Sequence, residues 1–192
     1  MSNSSLIDVN DSVLIVIDIQ PHFVSKLQEP EPSPLLQRMC WVIKVANWAG
    51  VPLIVTAEDV PHAGNICEEL AQILPPDTKI HNKMSFGLAA QADILEAARQ
   101  TGRNTAVLIG YETDVCVAHS ALGLMDLGFR VVVVADATGS PGAAHQMGLG
   151  RIRGAGGIIV GAKSLYYEWV RTVERALAFE SAGIQLPEGI IL

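Results

Sequence analysis

The chain has 192 residues, 49% of them hydrophobic, which is enough to bury one sizeable core and reads as a single domain over 1–192. A net charge of −7 without a basic cluster excludes nucleic acid as a partner and leaves neutral or cationic small molecules. Cys40, Cys67 and Cys116 cannot all pair, which predicts a reducing, cytoplasmic setting; the N-terminus lacks the basic start and apolar core of a signal peptide, and no apolar run nears the roughly 18 residues of a membrane span.

Val13 to Ile17 opens the regular structure as a near-continuous apolar run, the pattern of a strand buried on both faces of a parallel sheet. The Pro-rich loop at Pro30, Pro32 and Pro34 feeds a helix predicted over Pro34 to Ala49, and Pro52 to Thr56 is the second strand. A weaker third strand, about Lys79 to His81, lies between Pro75-Pro76 and the polar segment Asn82 to Phe86. Then follow a helix over Leu88 to Gln100, a strand over Ala106 to Ile109 and a helix over Val115 to Leu127. A strand at Val131 to Ala135, a helix at Ala143 to Ala155, a strand at Gly157 to Val160 and a helix at Ser164 to Glu180 complete the series. Gly50, Gly102, Gly128 and Gly154 mark predicted helix ends. The alternation predicts a doubly wound α/β fold with helices on both faces of a six-stranded sheet, a three-layer α/β/α sandwich.

Three side chains fall where such a fold binds ligands, beyond the carboxyl ends of strands. Asp18 ends the first strand in Asp18-Ile-Gln20-Pro-His22-Phe23, where it caps a turn or takes part in chemistry. Lys83 follows the third strand in Lys83-Met-Ser-Phe86, as a solvated charge unless Asp18 and Cys116 lie near it. Cys116, in Gly110-Tyr-Glu-Thr-Asp-Val-Cys116-Val, stands between a strand and the first turn of a helix. A buried free cysteine is often a small hydrophobe, as Cys40 and Cys67 read. A helix N-terminus, however, offers free N–H groups and partial positive charge that favour a thiolate.

These segments, with Val-Val-Val-Ala135-Asp136-Ala137-Thr138, resemble the isochorismatase-like cysteine hydrolases, a superfamily that includes nicotinamidases and carbamoylsarcosine amidases. The resemblance covers most of residues 12 to 160. It implies a parallel sheet of order 3-2-1-4-5-6, with Asp18, Lys83 and Cys116 as the catalytic set. Asp18 would take the thiol proton, Lys83 would stabilise the charged pair, and Cys116 would attack a small amide, ureido or related C–N carbonyl to form a thioester. The resemblance further implies a cis peptide between Tyr111 and Glu112 and an oxyanion hole of the Glu112 and Cys116 N–H groups. Gln20, Phe23, Phe86 and Tyr111 would form the substrate pocket. No cofactor is called for.

Two departures bear on substrate. Where metal-dependent nicotinamidases carry an Asp-x-His motif, this chain has Glu58-Asp59-Val-Pro-His62; one carboxylate and one histidine make no metal site, so none is expected. Glu112 stands where many amidases have a small residue. It either faces the pocket and favours a cationic substrate or is turned away into a salt bridge. His119 reads as a surface or interface residue, and the glycines at 148, 150 and 154 as helix packing rather than a dinucleotide motif. Vinyl-ether hydrolysis of the isochorismate type, and a noncatalytic oligomeric binding protein or thiol sensor, are the alternative functions. An apolar C-terminal stretch, Ala182 to Leu192, needs cover from its own domain or from a second copy, and a homo-oligomer is expected.

Overall fold

The computed structural model describes residues 5–27 and 33–192, so Pro30 and Pro32 of the expected loop lie outside the described residues. β1 (Ser12–Ile17) is followed by the short α1 (Pro21–Val24), the long α2 (Pro34–Ala49) and β2 (Leu53–Glu58). Two single-turn helices, α3 (Val60–Ala63) and α4 (Glu68–Ala71), precede β3 (Ile80–Lys83) and α5 (Ala92–Gln100). β4 (Thr105–Tyr111), α6 (Ala118–Asp126), β5 (Arg130–Gly139), α7 (Ala144–Gly154), β6 (Ile158–Val160), α8 (Ala162–Val170) and α9 (Val173–Ser181) complete the chain.

All strand pairs are parallel, in the order β3-β2-β1-β4-β5-β6. Alternate residues of the central strands enter two separate cores, which is why these strands read as continuous apolar runs. Leu14, Val16, Val107, Ile109, Val132 and Val134 pack under α2, α8 and α9. Val13, Ile15, Ala106, Leu108, Val131 and Val133 pack under α5, α6 and α7. The first core is anchored by aromatic rings, with Tyr166 and Phe179 centroids 4.9 Å apart and Trp48 and Phe179 5.2 Å apart. Such pairs add about 0.5–1.5 kcal/mol beyond the area they bury.

The strands run longer than the apolar runs. β2 reaches Glu58 and β3 reaches Lys83, and these two residues are register partners. The helix expected over Ser164 to Glu180 is two helices, broken where Arg171 takes φ +67° and the Thr172 hydroxyl accepts the Arg175 N–H to start α9. α7 ends at Gly154 as expected, and the chain turns two residues later at Gly156, where φ is +102°. The C-terminal stretch is covered in part by its own domain: Ile190 is buried, and Ile184 and Leu192 pack against the first core.

β1 and β4 are the strands from which the chain winds in opposite directions, so the crevice beyond their carboxyl ends is the switch point of the sheet. Gly110 holds that junction. It pairs with Ile17, its φ is +123°, and a Cβ there would lie 1.9 Å from the Ile17 carbonyl oxygen. Gly110→Ala should therefore cost about 3 kcal/mol or more, from overpacking and from the backbone conformation together. Urea denaturation of the two proteins measures this directly.

Candidate active site

The crevice brings four strand ends to one point. Asp18, just after β1, adopts φ +51°, a conformation Asp tolerates better than most residues. Its N–H donates to the Thr56 carbonyl and its Oδ1 accepts the Thr56 hydroxyl at 2.7 Å, so β2 clamps it from both sides. The Lys83 ammonium lies 3.0 Å from Asp18 Oδ2, 3.2 Å from Glu58 Oε2 and 3.7 Å from Cys116 Sγ, and donates to the Ser85 carbonyl at 2.8 Å. Asp18 and Lys83 are both fully buried. A buried ammonium is tolerated only when anions and acceptors surround it, and here two carboxylates do so.

Cys116 lies in a single π-type turn, Thr113–Val117, that leads into α6, where the sequence pattern predicts ordinary helix. Its Sγ donates to Glu58 Oε2 at 3.0 Å. The helix terminus was expected to favour the thiolate, but the surroundings push the thiol well above its ordinary range. Burial is the larger cause, then the Asp18 charge, with the Glu58 hydrogen bond and charge adding to it and Lys83 opposing. Asp18 is itself raised, by burial, against the lowering effect of Lys83 and Thr56. Burial pulls Lys83 down, yet the charges of Asp18, Cys116 and Glu58 hold it above the usual lysine value. The other lined thiol, Cys40, is pushed by burial to about 11 and lies in a separate groove along α2.

Ligand atoms of Asp18, Glu58 and Cys116 lie within 4.8 Å of one another, close enough to share a metal ion. The Lys83 ammonium already sits in contact with all three, supplying positive charge where an ion would.

Above the cluster opens a cleft of roughly 340 Å³, whose lining includes His22, Phe23, Lys26, Glu58, Phe86, Glu112 and Cys116. Phe23 and Phe86 are among its lining residues. Glu112 answers both readings: it lines the cleft and ion-pairs with Lys26 at 3.4 Å. The Tyr111–Glu112 peptide is cis. Val115 and Val117 both donate to the Glu112 carbonyl, with Cys116 between them in the same turn.

Gln20 and Tyr111 do not line the cleft. Both are fully buried, Tyr111 with its ring against Gly139. Gln20 instead grips the turn after β2: its Nε2 donates to the Glu58 and Gly64 carbonyls at 2.9 and 2.6 Å, and its Oε1 accepts the Glu58 N–H at 2.7 Å. His119 is exposed, edge-on to Phe86, with centroids 6.3 Å apart.

Glu58 is the residue that sequence reasoning missed. Its signal was the alternation Thr56-Ala57-Glu58 at the carboxyl end of an apolar strand, which places two polar side chains on one face.

A cysteine held against a lysine and carboxylates at the switch point of a doubly wound parallel sheet defines the class of the isochorismatase-like cysteine hydrolases. A model of the isochorismatase domain matches residues 12–164, and the chain belongs to that family. The secreted isochorismatase effector Isc1 of Phytophthora sojae is 32% identical over 164 residues, 83% of this chain and 77% of that protein. The probable hydrolase YcaC of Escherichia coli is 29% identical over 136 residues, spanning 70% of this chain and 65% of that protein. The crystal structure of E. coli YcaC, an octameric hydrolase of unknown specificity, aligns with a TM-score of 0.87 at 23% identity, over 95% of this chain and 90% of that one. YcaC from Pseudomonas aeruginosa, solved with hexane-2,5-diol and covalent acrylamide, aligns at TM-score 0.81 and 23% identity, over 95% and 100% of the two chains.

A raised thiol leaves less thiolate at every pH below its own titration. Iodoacetamide modification of Cys116, followed on its own peptide by mass spectrometry, should thus have a pH midpoint above the ~8.5 of free cysteine. A midpoint below that value would mean that Lys83 and the helix terminus outweigh burial and the two carboxylates.

Proposed function

We propose that this protein is a cysteine-dependent hydrolase of a small carboxamide, ureido or related C–N bond, working through a thioester on Cys116. The observation that carries the reading is the contact of Cys116 Sγ with a carboxylate at 3.0 Å and a buried ammonium at 3.7 Å, at the floor of a cleft. A nucleophile needs a proton acceptor within hydrogen-bond reach, and this sulfur has one. Asp18 and Lys83 complete the set: the ammonium stabilises negative charge as the sulfur ionises, and Asp18 holds the ammonium. The N–H groups of Glu112 and Cys116 serve the developing oxyanion.

Cleft size and charge support a small, uncharged or N–H-rich substrate. Glu58, Asp59 and Glu112 line the cleft, and its lysine, Lys26, is already paired to Glu112. An anionic vinyl ether of the isochorismate type would meet this excess of carboxylates. The described residues include no helix long and apolar enough to cross a membrane. The three buried, unpaired cysteines support a cytoplasmic setting.

A screen of small amides and ureides should find one from which the protein releases ammonia or amine, and Cys116→Ala should lower that turnover at least about 10³-fold while the protein stays folded. Hydrolysis that survives Cys116→Ala would refute the thioester, and pyruvate release from isochorismate in that variant would select the vinyl-ether chemistry.

We also propose a homo-oligomer, supported by Met84 and Phe86, 66% and 57% exposed beside the cleft, and by the octamer of E. coli YcaC. Light scattering on the eluting protein should give a multiple of 20.5 kDa; a monomer at micromolar concentration would refute it.

A further inference from the structure

Of the three carboxylates in the cleft lining, Glu112 alone is loosely held. Glu58 is taken up by the Lys83 ammonium at 3.2 Å and the Cys116 thiol at 3.0 Å, and Asp59 by the His62 ring at 2.8 and 3.0 Å. Glu112 has Lys26, whose Nζ stops 3.4 Å from Oε2, beyond the roughly 2.7–2.9 Å of a tight ammonium–carboxylate contact. Among the described residues Glu112 Oε1 accepts no hydrogen bond. Exposure makes the pair exchangeable. The Lys26 side chain is 37% exposed and can turn to water, while Glu112 is 18% exposed and is fixed at the cleft by its backbone, whose carbonyl accepts the Val115 and Val117 N–H groups of the turn that carries Cys116. An exposed pair of this kind is worth up to about fivefold in its own equilibrium, so a second cation can take the place of Lys26.

Charge decides which ligand gains from the exchange. The cleft and the cluster beneath it hold four carboxylates, Asp18, Glu58, Asp59 and Glu112, against two ammonium groups, Lys26 and Lys83. An anion meets that excess, and a neutral group leaves the Lys26 pair closed. A cation at Glu112 gains the unused oxygen and releases Lys26 to water. We propose that Glu112 is the specificity-determining residue of the site, selecting substrates that carry an ammonium or guanidinium group a few bonds from the scissile carbonyl; this rests on the hydrolase reading above. Glu112 stands one turn before Cys116, so a molecule small enough for the cleft reaches both, with its methylenes against Phe23 and Phe86. The cation fixes the far end of the substrate while the carbonyl meets the sulfur. Lys26 is the resident competitor that the substrate displaces.

The test compares amides of equal length that differ in charge: glycinamide, β-alaninamide and γ-aminobutyramide against propionamide, butyramide and valeramide. The readout is the ratio of kcat/KM within each pair, which cancels any general loss of activity. At one chain length the wild type should favour the cationic amide about tenfold or more, the worth of one hydrogen bond to a charged group. Glu112→Gln should bring that ratio near one, and Lys26→Met, which keeps an apolar stem beside Phe23, should raise it about two- to fivefold. A residue that only braces the turn would lower both rates and leave the ratio alone. A wild-type ratio near one at every length, or a ratio unmoved by Glu112→Gln, overturns the proposal. Should Glu112→Gln not fold, an unmoved or lowered ratio in Lys26→Met overturns it equally. If the wild type hydrolyses no amide at all, the hydrolase reading fails. With or without turnover, the same pairs can be read as competitors of iodoacetamide at Cys116. Half-protection by the cationic member at about tenfold lower concentration, lost in Glu112→Gln, supports the Glu112 subsite; equal protection, or none, overturns it.

Discussion

The Lys83 ammonium is the interaction on which the site depends. It has no exposed surface, and a lone charge in that position would lose its proton or unfold the strand that carries it. Asp18 and Glu58 satisfy it, and each is delivered by a different strand. The parallel arrangement makes this possible, because the carboxyl ends of β1, β2 and β3 all open on the same edge of the sheet. Register does the rest: Glu58 and Lys83 are direct partners, so their side chains leave the sheet on one face and meet without distortion of either strand. The order of the sheet then sets β4 beside β1, and the π-type turn after β4 lowers Cys116 onto the same cluster.

Most of this was legible in the sequence, for physical reasons. Strands buried on both faces must be apolar along their length, so β1, β4 and β5 announced themselves. The sheet order and the Asp18–Lys83–Cys116 set came through the family resemblance, whose segments carry those residues in order. What escaped was whatever depended on which way a side chain faces. In the sequence Glu58 stands beside Asp59 and His62 as a departure from a metal motif, because the apolar run ends at Thr56 and the strand is expected to end with it. In the fold the strand continues through Ala57 and Glu58, and the continuation puts Glu58 against the sulfur. Gln20 and Tyr111 failed in the opposite sense. They adjoin the site in sequence, but each turns inward, one to hold a loop and one to fill a core.

The thiol also corrects a common inference from helix position. A helix N-terminus lowers a cysteine pKa when its field acts without stronger charges nearby. Here two carboxylates and burial act at closer range than the helix terminus, and a single ammonium offsets them only in part. The field at the sulfur is therefore set by side chains from the first three strands, and the turn that carries Cys116 supplies position more than charge.

Charge conservation then decides how such a thiol can react. With both carboxylates ionised, Lys83 protonated and the thiol neutral, the cluster carries one net negative charge. Releasing the thiol proton to solvent would add a second. At the short separations here, one more unit charge beside a carboxylate costs roughly 4 kcal/mol even at an effective dielectric near 20. Moving that proton onto a carboxylate already in the cluster leaves the total unchanged and removes one of the two anions that oppose the forming thiolate. The same exchange run backwards gives the leaving nitrogen its proton. A resting thiol of raised pKa and a nucleophile competent near neutrality are thus compatible, provided that a carboxylate of the cluster accepts the proton. Two carboxylates stand within reach: Glu58 Oε2 accepts the thiol at 3.0 Å, and an Asp18 oxygen lies within 4.8 Å of the sulfur against the same ammonium.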